Sequence, residues 1–226
     1  MEIQFINDIE VLVNIEEKHL QVNDLNEEGI ASIWENLVEN YSGFNAMFCY
    51  HNVGAPVNKL ESLDITLVDD STEMRLTPVE LTNAVQLNAE IKTDDGSFDI
   101  HLVDHEKFDD FAKFHDAKNP DMYWSSTRVR DNLGIWRIHT YSVGGKIVGY
   151  IMIMNDFEVV CSFITNELQG KRLMAVAAAD AFIRGSNQLM YMLDNSDQAN
   201  LHAAAGIGFV SCGFYHGYKG CISGEK

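Results

Sequence analysis

The sequence predicts an α+β protein: a mixed, mainly antiparallel sheet flanked by helices, preceded by a smaller acidic α+β module. Three observations carry that expectation. After residue 97, strand-like and helix-like segments follow in the order β-α-α-β-β-β-α-β-α-β-β. Gly144-Gly145 joins two apolar runs in the manner of a two-residue hairpin. Charge is also unevenly divided: the 226 residues carry a net −18, of which residues 1–97 hold −15 and residues 98–226 only −3. The polar run Lys92-Thr93-Asp94-Asp95-Gly96-Ser97 has the turn chemistry of a junction, so the expected modules are 1–97, with no assigned role, and 98–226.

In the first module, 3–6 and 11–15 read as short strands. A helix follows, with Asn26 as cap, Glu27 and Glu28 at its positive end, and Ile30, Ile33, Trp34, Leu37, Val38 and Tyr41 on one face before Gly43. Residues 44–50 and 63–68 read as strands around a loop at Gly54-Ala55-Pro56. Thr77, Pro78 and Glu80 then form a capping box that opens a second helix. No internal repeat is visible in the sequence.

In the second module, 98–103 reads as a strand and 106–118 as a helix with Phe108, Phe111, Ala112 and His115 on one side. A second helix is expected over about 121–133, then strands at 136–143, 146–154 and 158–164. An alanine-rich helix at about 169–184, a strand at 188–193, a short helix at 197–206 and two closing strands, 209–215 and 217–222, complete the chain.

Composition narrows the function. A net charge of −18 disfavours nucleic acid and anionic membranes as partners, because affinity for both comes mainly from Lys and Arg. The longest apolar run, 147–154, has the length of a strand, not of a membrane span. The N-terminus lacks the basic start and apolar core of a signal peptide, and the expected location is the cytoplasm. Cys49, Cys161, Cys212 and Cys221 show no C-x-x-C spacing and are expected to be inert and mostly buried, with a Cys212–Cys221 meeting across a hairpin left open. His101 and His105 are four apart, but on a strand running into a loop, so no metal site is expected. There is no P-loop, dinucleotide fingerprint or nucleophile elbow.

Three segments resemble the GNAT N-acetyltransferase superfamily over about residues 98–226. The hairpin Val143-Gly144-Gly145-Lys146-Ile147-Val148-Gly149-Tyr150 looks like the family's second and third strands. Ile164-Thr165-Asn166-Glu167-Leu168-Gln169-Gly170-Lys171-Arg172-Leu173-Met174 resembles its strand-to-helix turn ending in Q/R-x-x-G-x-G/A, where backbone N–H groups at a helix start hold the pyrophosphate of coenzyme A. Asn200-Leu201-His202-Ala203-Ala204-Ala205-Gly206-Ile207-Gly208-Phe209 looks like the fourth helix and the G-F that follows it. Two departures stand out. Arg172 and Met174 occupy glycine positions of the turn, and Ala204 stands where many members place a tyrosine that protonates the leaving thiolate.

The resemblance implies acyl transfer from acetyl-CoA, or another acyl-CoA, to a small-molecule or protein amine. It assigns cofactor contacts to Phe163 and Ile164, whose N–H groups face the thioester, to Gln169, Gly170, Lys171, Arg172, Leu173 and Met174 at the turn, to Asn195 after the fifth strand, and to Asn200. Glu158 is either the carboxylate that deprotonates the amine or a solvated turn residue beside Asp156. His202 is either a cleft group or a surface imidazole. Tyr123, Trp124, Trp136 and Tyr215 are either an acceptor pocket or core. An acidic cleft would favour cationic amines such as polyamines or aminoglycosides. The departures at Arg172, Met174 and Ala204 leave a second reading, a non-catalytic scaffold or acyl-CoA sensor.

Overall fold

The computed structural model describes residues 2–87, 99–120 and 122–224. The expected junction at 92–97, and Phe98 and Asp121 at the starts of an expected strand and helix, lie outside them. The chain divides into two compact units, Met1–Thr72 with Gly213–Lys226, and Glu73–Cys212.

In the first unit, β1 (Glu2–Ile6) and β2 (Ile9–Asn14) form a hairpin. Its turn residues Asn7 and Asp8 have φ of 48° and 64°, the left-handed values a type I′ turn needs and that Asn and Asp tolerate. β3 (His19–Val22) lies antiparallel to β2, and α1 (Gly29–Tyr41) leads to β4 (Asn45–His51), parallel to β3. α1 buries Ile30, Ile33, Trp34 and Leu37 in one core with Val11, Val13, Leu20, Val22 and Phe48, as its sequence stripe requires. The expected loop after Gly54 holds a short helix, α2 (Val57–Ser62), which buries Leu60. The strand expected at 63–68 starts later and runs further, as β5 (Thr66–Leu76).

The two closing strands of the sequence reading are one, β11 (Val210–Cys221), whose later residues pair antiparallel with β4. Gly217, read as a break, is instead a close approach: a Cβ there would stand 2.5 Å from Met47 Cε and 3.0 Å from Asp69 Cβ. With no hairpin, Cys212 and Cys221 do not face each other. All four cysteines are free; Cys49 is buried and Cys161 half-buried, while Cys212 and Cys221 are exposed, against the expectation of mostly buried thiols.

The second unit begins with the end of β5 and α3 (Pro78–Leu87). The capping box forms as read: Glu80 Oε2 accepts from Thr77 N at 2.7 Å, and Thr77 Oγ1 accepts from Glu80 N at 3.4 Å. β6 (Asp99–Leu102) and α4 (Phe108–Lys118) follow. The next helix is shorter than expected, α5 (Ser126–Asp131), with a 3-10 turn at Leu133–Ile135. Then come β7 (Trp136–Val143), β8 (Lys146–Met154), β9 (Glu158–Phe163), α6 (Glu167–Ile183), β10 (Leu189–Asp194) and α7 (Gln198–Gly206). Gly144 and Gly145, φ 54° and 75°, make the type I′ turn between β7 and β8.

The strands of this unit lie in the order β5-β10-β9-β8-β7-β6. β8 alternates inside: Ile151 and Ile153 enter the core on the side of α6 and α7, Tyr150 and Met152 the core on the side of α4 and α5. A strand buried on both faces reads as the continuous apolar run seen at 147–154. Of the alanines of α6, Ala175, Ala177, Ala178 and Ala181 are buried and Ala179 is half-buried.

A repeat absent from the sequence is present in topology. In each unit a hairpin, a third antiparallel strand, a helix, a fourth strand parallel to the third and a short helix follow in order: β1-β2-β3-α1-β4-α2 and β7-β8-β9-α6-β10-α7.

Candidate functional site

The two copies of this arrangement differ at the parallel pair. All four residues of β3 are matched with β4, from His19↔Asn45 to Val22↔Phe48. β9 has six residues, but its register with β10 covers Glu158 and Val159 alone, opposite Met190 and Tyr191. Beyond that point the pairing of β9 with β10 stops, leaving an unpaired stretch between them, the wedge.

The cause lies in the register with β8. Ile153 faces Val159 and Met152 faces Cys161, so Val160 is an extra residue. A bulge of this kind bends its strand and sharpens the local twist, and it falls where the pairing with β10 stops. Past it, Phe163 turns its carbonyl toward β8, since a Cβ on Gly149 would meet that oxygen at 2.9 Å. Backbone groups of alternate residues in a strand face opposite edges, so Ser162 presents its N–H to the wedge. An edge of this type accepts an extended, amide-bearing ligand as it would another strand.

Side chains on one side of β9 bridge the wedge. Tyr191 OH and Ser162 Oγ are 2.6 Å apart, and Ser162 Oγ donates to Asn200 Oδ1 in a short bond. Because that acceptor carries no proton, Tyr191 is the donor to Ser162. Asn200 Nδ2 in turn donates to Asp197 Oδ2 at 2.6 Å, and Asp197 Oδ1 caps α7 by accepting from Asn200 N at 3.1 Å. Tyr191 and Asn200 are both 3% exposed. Burial, the largest influence, pushes the Tyr191 hydroxyl pKa upward.

On the other side, Cys161 Sγ lies 3.3 Å from Tyr150 OH, which is 2.7 Å from His115 Nδ1. Asn119 Nδ2 donates to the same hydroxyl at 2.6 Å, and His115 Nε2 lies 2.8 Å from the carbonyl of Trp124. His115 and Tyr150 are fully buried. Burial pushes the Cys161 thiol pKa up, against the lowering bond from Tyr150.

At the open end, Asn166 caps α6 by accepting from Gln169 N at 2.9 Å. The helix thus starts before the turn that the resemblance assigned to phosphate. Gln169 accepts from Thr165 Oγ1 through its side chain at 2.6 Å. Gly170 is required by packing: a Cβ would collide with Ile164 Cδ1 and stand 2.8 Å from Ala203 Cβ. Lys171 pairs with Glu167 one turn earlier and lies along Gly206 of α7. Arg172 is 8% exposed, and Leu173 and Met174 are core residues at 1% each. The two non-glycine residues at 172 and 174 therefore sit within the helix, with buried side chains.

Of the other expected contacts, Ile164 packs on Gly170. The ring of Phe163 stands edge-on to Phe114 at 5.5 Å, with Lys118 Nζ 5.0 Å above it. Asn195 lies in the turn after β10. Glu158 is at the closed end, where β9 and β10 still pair, about 13 Å along the strand from Ser162 at some 3.3 Å per residue. Burial, then Asp156 and Glu73, raise its carboxyl pKa. Trp136 belongs to the core on the α4 side, with Trp124 packed against that core; Tyr215 bonds Cys49 at 3.1 Å in the first unit.

Sequence reasoning missed Ser162, Tyr191, Cys161, Tyr150 and His115 as site groups. His115 alone gave a signal: an imidazole on the apolar face of α4 must find buried partners.

No family model matches the sequence, and no curated protein matches it. Solved structures do match. A conserved protein of unknown function from Staphylococcus epidermidis aligns at TM-score 0.65 and 14% identity over 93% of this chain and 90% of its own. A GCN5-related N-acetyltransferase from Sphaerobacter thermophilus aligns at 0.63 and 11% over 96% and 77%. A tandem GNAT protein from the clavulanic acid biosynthesis pathway aligns at 0.57 and 7% over 96% and 79%. At these identities the likeness shows fold: the chain has the mixed, mostly antiparallel fold of the GNAT N-acetyltransferases. No helix among the described residues is long and apolar enough to cross a membrane.

Proposed function

We propose that the second unit is an acyl-coenzyme A dependent N-acyltransferase whose donor lies in the wedge between β9 and β10. The observation that carries this reading is the bulge at Val160, which ends the pairing with β10 and turns a backbone edge toward the gap. The residues present fit the donor. Ser162 N–H, with Ile164 beyond it, would receive the amides of an extended chain, and the N-terminus of α6 at Asn166 and Glu167 would take the diphosphate. Arg172 and Met174 do not crowd that turn, because their side chains are buried within the helix.

The bound donor supplies a thioester, reactive toward a neutral amine. The chain supplies position: backbone N–H groups aimed where the thioester oxygen gains charge. Glu158, with its raised pKa, stands about 13 Å along β9 from Ser162, so it would take the proton of the amine ammonium only through a chain of waters. The acceptor is an amine, cationic in its resting form, drawn by an acidic protein of net −18. The protein is a cytoplasmic enzyme in this reading.

Titration calorimetry with acetyl-CoA tests it. Heat of binding and a raised melting temperature are expected, followed by thiol release when amines are added. No heat at millimolar acetyl-CoA would refute donor binding; binding without thiol release across a broad amine panel would favour a sensor.

A further inference from the structure

Outside the wedge, on the α4 side of the second unit's sheet, lies an open cavity of about 590 Å³, within the range of small-molecule sites. Its floor follows from strand register. Asp99 and His101 of β6 stand opposite Ser142 and Thr140 of β7, and residues two apart in a strand share a face. All four line the cavity, while Ile100 and Tyr141 between them pack into the core on the α6 side. The wall follows from the helix period: Lys107, Asp110, Phe114 and Ala117 recur at steps of three and four along α4. Gly145 and Ile147 close the hairpin end, and a Cβ on Gly145 would meet nothing within 4 Å.

The lining joins an apolar patch, Phe114, Ala117 and Ile147, to polar groups with nothing to bind. The side chains of Asp99, His101, Lys107, Ser142 and Lys146 make no hydrogen bond or ion pair among the described residues. Lys113 stands 4.0 Å from Asp110 one turn earlier, so those two charges offset each other. That leaves Lys107 and Lys146 facing Asp99, a local excess of positive charge in a chain of net −18. No group of three His, Cys, Asp or Glu among the described residues is placed to hold a metal ion. The charge excess selects an anion, and the apolar patch selects one with a hydrocarbon body.

We propose that this cavity is a second ligand site, for a small organic anion: a carboxylate or phosphate ester on a body about the size of one ring. Lys107 and Lys146, charges on flexible stems, close on the anionic group. The ring lies against Phe114, Ala117 and Ile147, and the Ser142 hydroxyl and His101 imidazole supply hydrogen bonds. Asp99 sets a condition: it repels a second anionic group and accepts from a hydroxyl or amino substituent. The site does not depend on the acyl-transfer reading. It lies over β6, β7 and the start of β8, whereas that reading puts its donor between β9 and β10.

The test is titration calorimetry of the full chain at low salt with four probes built on one ring: benzoate, phenyl phosphate, benzyl alcohol and benzylamine. One of the two anions is expected to bind about 10-fold tighter than the alcohol, and which one it is identifies the anionic group. Its Kd is expected to rise with added salt. Lys107→Ala and Lys146→Ala, both at exposed positions, are each expected to weaken that anion by about 3-fold and to leave the alcohol and the melting temperature unchanged. Ala117→Trp, also at an exposed position, is expected to fill the cavity and abolish binding of every probe. Equal binding of all four probes, or benzylamine binding tightest, overturns the anion assignment. Anion binding that survives Ala117→Trp and both lysine variants, or that acetyl-CoA displaces, lies elsewhere and overturns the site. No heat from any probe at millimolar concentration overturns the proposal outright, and leaves the acyl-transfer reading to its own test.

Discussion

His139 on β7 offers a quantitative test of the second unit's packing. Its ring is 4% exposed and faces Asp180 of α6, with Nε2 3.7 Å from Oδ2. Proximity to a carboxylate would ordinarily favour imidazolium. Here Asp180 is already gripped by Arg137, with Nε 3.0 Å and Nη2 2.9 Å from its two oxygens, and His139 Nδ1 is buried without a hydrogen-bond partner among the described residues. Burial therefore wins over Asp180, assisted by the charges of Arg137 and Arg184, and the His139 pKa falls from 6.5 to about 4. The unfolded chain takes up this proton first as the pH drops. The contribution of a neutral His139 is thus complete above about pH 6.5 and is lost as the pH falls toward 4. At about 1.4 kcal/mol per unit, the loss is about 3 kcal/mol. The assay is urea unfolding of wild type and His139→Gln between pH 7 and pH 4, in which carboxylates common to both cancel. The wild type is expected to lose about 3 kcal/mol more than the variant across that range. A difference that stays constant with pH would show that the ring is hydrated or already charged, and would refute the reasoning.

Three further outcomes follow from local geometry. Gly170→Val places a branched side chain against Ile164 and Ala203, and overpacking of this kind costs about 1–3 kcal/mol, read as a lower melting temperature with weaker acetyl-CoA binding. Thr77→Ala and Asn166→Ala each remove a helix cap, an expected loss of about 1 kcal/mol apiece in denaturant unfolding. Tyr191→Phe deletes the donor to Ser162, which costs about 1 kcal/mol and loosens the wedge, so the Kd for acetyl-CoA rises with little change in maximal rate.

What could be read in the sequence was governed by local rules. The Gly144-Gly145 turn, the Thr77 box and the apolar face of α4 involve residues within a few positions of one another, and all three stand in the structure. β3 was missed because its alternation, His-Leu-Gln-Val, spans only four residues; Leu20 and Val22 are buried in the core under α1. α2 was hidden behind the turn signal of Gly54-Ala55-Pro56, with Leu60 its single buried residue. The site was still less legible. Its bulge exists only as a mismatch between β8 and β9, and Cys161, Tyr150 and His115 come from three elements whose spacing encodes nothing. The glycine positions of the resemblance misled in a specific way: Arg172 and Met174 looked like obstacles at a turn, but α6 starts at Glu167 and buries them.

The repeated topology lets the consequence of the bulge be measured within one molecule. β3 has a partner on each side, β2 and β4, and the chain beyond it stays closed, since Leu25 N donates to Cys49 O at 3.1 Å. β9 has the same neighbours in kind, but one inserted residue releases its second half from β10. The same order of elements thus makes a sealed sheet in one unit and a gap in the other, so possession of the fold does not itself supply a site. Amide hydrogen exchange reads this directly. The N–H groups of Leu20, Gln21 and Val22 are expected to exchange slowly, since those facing either edge meet a strand. The N–H of Ser162, facing the wedge, is expected to exchange far faster than those of Cys161 and Phe163 on the β8 side, and to become protected when acetyl-CoA is added. Protection that leaves Ser162 unchanged while appearing along β3 would assign the ligand to the wrong unit and overturn the placement of the donor.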